Sequence, residues 1–154
     1  MATHSNFSSA FKSMYRKLQS TQRTLPSVLA NVGTNFFISN FDKEGFQDGG
    51  LTKWKTPQRK IAGTKSYKYP KKKDLGRRTR KTLVKSGKLR REVNSSAKEK
   101  TFKRIVWRVS LPYAARHNEG LKGMPERRFM GPSRTLNTLF RKKIIEAYKK
   151  SLNG

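Results

Sequence analysis

Acid–base, nucleophilic and metal chemistry each need a few particular side chains brought close together, and this chain offers few of them. It has two histidines, His4 and His117, far apart in the sequence, and no cysteine. No carboxylate pair is set by a rigid pattern, and no Ser-His-Asp or metal-ligand spacing occurs. Ser86-Gly87-Lys88 ends as a phosphate-binding P-loop ends. Leu89, however, stands where that loop needs Ser or Thr, and Thr82 stands where its first glycine belongs, so the match fails. The expectation is a protein that is not an enzyme and uses no metal or cofactor.

What the chain has in abundance is positive charge. Its 37 Lys+Arg against 9 Asp+Glu give a formal net charge of +28. Such an excess repels itself in the compact state and attracts polyanions or acidic protein surfaces. With so few carboxylates, most of the cations must be met from outside the chain. The densest cluster, Lys71, Lys72, Lys73, Arg77, Arg78, Arg80 and Lys81, follows Tyr67 and Tyr69. A charge run is usually a solvated face. Here the cluster sits in a long segment without period, which favours contact with phosphates or an acidic partner, with the tyrosines either stacking on bases or pinning the segment.

The stretch from Pro112 to Pro132 carries the most specific information. Pro112 ends a strand, and Tyr113 and Ala114 open a turn. Gly120 and Gly123 permit positive φ, while Pro125 and Pro132 stiffen the return path. Arg127 and Arg128 flank Phe129, which is expected to plug the core. The stretch reads as a rigid strand-to-helix connector, with His117 as a hydrogen-bonded structural residue.

The elements around these residues follow from periodicity. Phe7, Phe11, Met14, Tyr15 and Leu18 predict a first helix over 7–18, capped by Ser8 or Ser9. Leu25, Val28, Leu29, Val32, Phe36 and Phe37 predict a second over 24–41, with Thr24 as cap and Pro26 in the first turn. Gly33 weakens that helix by roughly 1 kcal/mol, so it needs tertiary support. Residues 42–81 read as one long basic loop, ordered only against neighbours, with Trp54 as its buried anchor. In 82–111 a turn leads to a strand or short helix ending near Asn94. SSAKEK then reads as a turn, and a half-buried strand runs from Phe102 to Leu111, where Ile105, Trp107, Val109 and Leu111 alternate with Val106, Arg108 and Ser110. After the connector, 112–132, a last helix over 133–152 starts at Ser133 and buries Leu136, Leu139, Phe140 and Ile144. The predicted class is α+β in a single domain, 1–154: helices at both ends, a small antiparallel sheet between, and Phe36, Trp107, Val109 and Leu139 in the core. No segment is apolar enough to span a membrane, and the first residues lack the apolar run of a signal peptide, so a soluble protein made in the cytoplasm is expected.

One further pattern is visible. Pro112-Tyr113-Ala114, then His117-Asn118-Glu119-Gly120, then Met124-Pro125, Arg127, Phe129 and Gly131 before a C-terminal helix resembles the Mu-type virion-morphogenesis, or tail-completion, family of phage proteins. Asn35-Phe36 ahead of Trp54, and Ser86-Gly87-Lys88-Leu89, are similar to other turns of that family. The resemblance spans roughly 24–150. It implies a small α+β subunit of the virion, a ring of six copies at the head–tail junction that completes the tail or neck. Its neighbours would be connector, portal-side or tail-tube proteins, with contact to packaged DNA and none to membrane. The dense Lys and Arg over 53–104 depart from the family's pattern. Composition by itself favours a stand-alone nucleic-acid-binding protein of ribosomal or packaging-associated type, although no zinc spacing, RNP-like strand or basic-zipper heptad is present.

Overall fold

The structure, a computed structural model, describes residues 4–69 and 75–153. Lys71, Lys72 and Lys73, part of the expected basic contact, lie outside the described residues. The fold is α+β. One helix, α1 (His4–Asp42), replaces the two expected N-terminal helices and runs through both predicted caps. Pro26 therefore lies inside a helix rather than in a first turn. Thr24 does not cap; its hydroxyl donates back to the Ser20 carbonyl at 3.1 Å.

Residues 42–81 are not one loop. They contain the antiparallel hairpin β1 (Gly45–Gln47) and β2 (Leu51–Lys53), in register Gly45↔Lys53 and Gln47↔Leu51, and the short helix α2 (Lys65–Lys68). Phe46 and Trp54 anchor this segment in the core, and strands of only three residues are too short to leave an alternating signature. Next comes α3 (Lys88–Asn94), the helical option for the run ending at Asn94, which buries Leu89 and Val93. A second hairpin pairs β3 (Ala97–Lys100) with β4 (Ile105–Trp107), with a register shift between Ala97 and Glu99. The SSAKEK segment is thus largely strand, and the predicted strand 102–111 shortens to three residues. The connector carries α4 (Ala114–Glu119), and α5 (Arg134–Asn153) closes the chain.

α5 packs antiparallel to α1: Leu136 at its start joins Phe36, Phe37 and Phe41 in the core, and Ser151 near its end is hydrogen-bonded to Thr21. Trp107 wedges between the two helices. Its ring stacks on Phe140 at 6.2 Å between centroids and meets Phe37 edge-on at 5.6 Å, and its Nε1–H donates to Thr34 Oγ1 at 3.1 Å. Gly33 makes room for it, since a Cβ there would come within 2.4 Å of the indole. Val109 packs against the same core from outside the strand. Leu139 does not belong to it: it is 39 % exposed, because Leu136 and Phe140 take the inward positions on α5.

Beyond Thr21 the N-terminal part of α1 outruns α5. Residues 4–20 would extend about 26 Å at 1.5 Å per residue. Phe11, Met14 and Tyr15 stand exposed on this arm.

Candidate functional site

The connector is a clamp. The Asn118 side-chain oxygen accepts from the backbone N–H groups of Phe129 and Met130, both at 3.0 Å. Asn40, fully buried on α1, donates to the Phe129 carbonyl at 3.1 Å, and the Trp54 indole N–H donates to the Arg128 carbonyl at 2.8 Å. Each main-chain group fixed in this way is one that would cost about 1–3 kcal/mol to bury unpaired. The result drives the Phe129 ring into the core against Phe41, 5.3 Å between centroids. Around the clamp, Ala114 is buried and Gly120 ends α4 at φ 70°, where a Cβ would crowd Glu126. Gly131 lies against the Arg128 guanidinium. Pro112 is exposed, and Pro125 is half-buried.

The same clamp forms one wall of a cleft of about 840 Å³, within the range of ligand sites. The opposite wall is built by residues 82–89 and by the turn at Pro57–Arg59. Six cations line it: Arg59, Arg77, Arg80, Lys85, Lys88 and Arg127. Among the described residues no carboxylate lines it. Between the cations lie Pro57, Leu83, Val84, Leu89, Tyr113 and Met124, so the surface is apolar with cations set into it.

Several of these cations are positioned by the backbone. Arg59 donates to the carbonyls of Arg77 at 3.0 Å and of Arg80 and Lys81 at 3.3 Å, tying the 57–59 turn to the 77–81 segment. Arg127, buried at 7 % exposure, donates to the Lys55 carbonyl at 3.1 Å. Burial first, and then the Arg59 charge, pulls the Arg127 guanidinium below its usual value. Burial, and then the Arg127 charge, lowers His117. The expected side-chain hydrogen bond of His117 is not made at Nδ1, which is buried without a protein partner; its carbonyl accepts from Arg127 N at 2.7 Å, and its ring meets Tyr113 edge-on at 6.1 Å. Leu83 holds a left-handed φ of 61°, a strained backbone for a branched residue, at the cleft wall.

The basic cluster therefore divides. Arg77 and Arg80 line the cleft, and Arg77 also donates to Ser66 Oγ at 3.0 Å. Arg78 instead lies 4.1 Å over the Tyr67 ring and donates to the Tyr67 carbonyl at 2.9 Å, so Tyr67 pins the segment; Tyr69 is 74 % exposed. Lys81 pairs with Asp42 at 3.1 Å. Sequence reasoning missed Arg59, Lys85 and Lys88, because no local pattern announces that the 57–59 turn meets the 77–88 segment. No three His, Asp or Glu side chains form a metal-holding group among the described residues, and no helix there is long and apolar enough to cross a membrane. Against known protein families, curated proteins and solved structures, the chain finds no match.

Proposed function

We propose that this chain is a structural subunit of a tailed-phage virion, one that completes the tail or neck at the head–tail junction by assembling into a ring. The observation that carries this reading is the clamp around Phe129. The residues that resemble the tail-completion motif, Asn118, Gly120, Arg127 and Phe129, are spent on fixing a connector between α4 and α5. Rigid geometry of that kind suits a part that must fit its neighbours rather than turn over a substrate. The protruding arm of α1, with exposed Phe11 and Tyr15, offers an apolar surface for another chain, as assembly requires.

The net charge of +28 favours a second reading, a basic protein that binds nucleic acid on its own. Two measurements separate them. A ring subunit sediments as a discrete multiple of the chain mass and is found in intact particles by mass spectrometry. A protein that stays monomeric at all concentrations and is missing from particles overturns the assembly reading.

A further inference from the structure

Cations crowded without an anion raise one another's energy, and an arriving anion relieves this most where water is partly excluded. The cleft meets that condition. Arg59 and Arg127 are locked in place by backbone carbonyls, so they are presented without loss of rotamer freedom. Lys85 and Lys88, exposed at its edge, extend the charge outward. The surface between them, however, is largely aliphatic: the half-buried Leu83, Val84 and Met124. A bare anion or a phosphate backbone would leave these side chains uncovered. Nucleic-acid bases need flat aromatic platforms, and among the described lining residues the rings are those of Tyr113 and His117, already edge-on to each other. A volume of about 840 Å³ holds a few side chains of a peptide and is too small for a duplex.

We infer that this cleft is a docking site for an acidic peptide segment of a protein partner, one in which Asp or Glu residues alternate with aliphatic side chains. The carboxylates pair with Arg59, Arg127, Lys85 and Lys88, while the aliphatic groups cover Leu83, Val84 and Met124. The inference rests on the assembly reading only in taking the partner to be a protein.

The test uses the full chain and three fluorescein-labelled probes measured by polarisation: a nine-residue peptide of Glu and Asp with two leucines, an all-Glu peptide of equal charge, and oligo-dT. The mixed peptide should bind at least tenfold tighter than the all-Glu peptide. Lys85→Glu with Lys88→Glu should weaken it at least tenfold, while Arg141→Glu with Lys149→Glu, an equal charge change on exposed α5 positions, should change it less than twofold. Equal binding of the two peptides, or equal loss from both double variants, overturns the site as mere charge attraction. Displacement of the mixed peptide by oligo-dT at lower concentration than by unlabelled peptide overturns it in favour of nucleic acid. A discrete oligomer mass that persists in the Lys85/Lys88 variant leaves the ring reading standing whichever way the peptide result falls.

Discussion

Glu44, two residues beyond the end of α1, ties three distant pieces together. Its carboxylate accepts from the backbone N–H of Thr82 and from Lys60 Nζ at 3.0 Å, while its own carbonyl accepts from Trp54 N at 2.8 Å. Burial pushes the carboxyl up, but the hydrogen bonds from Thr82 and Lys60 outweigh this and hold it down at about 2, against an ordinary 4.5. The folded state thus favours the carboxylate. This contribution is complete above pH 4.5 and falls away as the pH drops through 4.5 towards 2. Glu44→Gln should lose about 1–2 kcal/mol at neutral pH and show a shallower fall in stability between pH 5 and 2 than the parent. Urea denaturation at a series of pH values measures both, and parallel curves for the two proteins would remove Glu44 from this role.

Among the elements, the joint between α1, β4 and α5 turns on one glycine. In an isolated helix Gly33→Ala would gain up to about 1 kcal/mol. Here the new methyl meets the Trp107 ring at 2.4 Å, and that ring is held between Phe37 and Phe140 and cannot swing away. Overpacking of this kind typically costs about 1–3 kcal/mol, so Gly33→Ala should lower the melting temperature by several degrees. A rise in calorimetry would mean that the indole can move. This joint also marks what the residue pattern could and could not reveal. The need of the Gly33 helix for outside support, the capping of α5 by Ser133, whose Oγ accepts from Leu136 N at 3.2 Å, and the burial of Phe129 were all readable from local spacing. The hairpins were not, since three-residue strands carry no period and pair by contacts made elsewhere. Asp48, at the first hairpin's tip, accepts from Arg134 N at 2.7 Å and so completes the α5 cap across 86 positions of sequence. The cleft was hidden for the same reason: its sides are brought together by hydrogen bonds between distant segments, among them those from Arg59, Arg127 and Trp54.

At the scale of the whole molecule, charge opposes compactness. The carboxylates of Asp42, Glu44, Asp48, Glu92, Glu99 and Glu146 are engaged within the chain, and most of the cationic excess is left facing outward. Screening shortens the reach of that self-repulsion to about 10 Å at 0.1 M salt. The melting temperature should therefore rise by several degrees between 20 mM and 0.5 M sodium chloride. A fall in differential scanning calorimetry would mean that the internal ion pairs outweigh the repulsion. Copies gathered in a ring would compound the problem. Six of them would carry roughly 170 positive charges, six times +28, whereas duplex threaded through a bore about 40 Å tall brings only about 24 phosphate charges. Acidic protein surfaces, or nucleic acid outside the bore, must meet the remainder.

Pro26 adds a mechanical consequence. Without an N–H it cannot donate to the Gln22 carbonyl one turn earlier, so the hydrogen-bond ladder of α1 lacks a rung. That gap falls close to Thr21, where α5 stops accompanying the helix. A push on the tip of the arm, some 26 Å away, acts as on a lever whose fulcrum is this missing rung. Bending would then concentrate near that gap rather than travel down the helix to Gly33 and Trp107. An arm hinged in this way would meet a neighbouring surface over a range of angles while the aromatic joint behind it kept its shape.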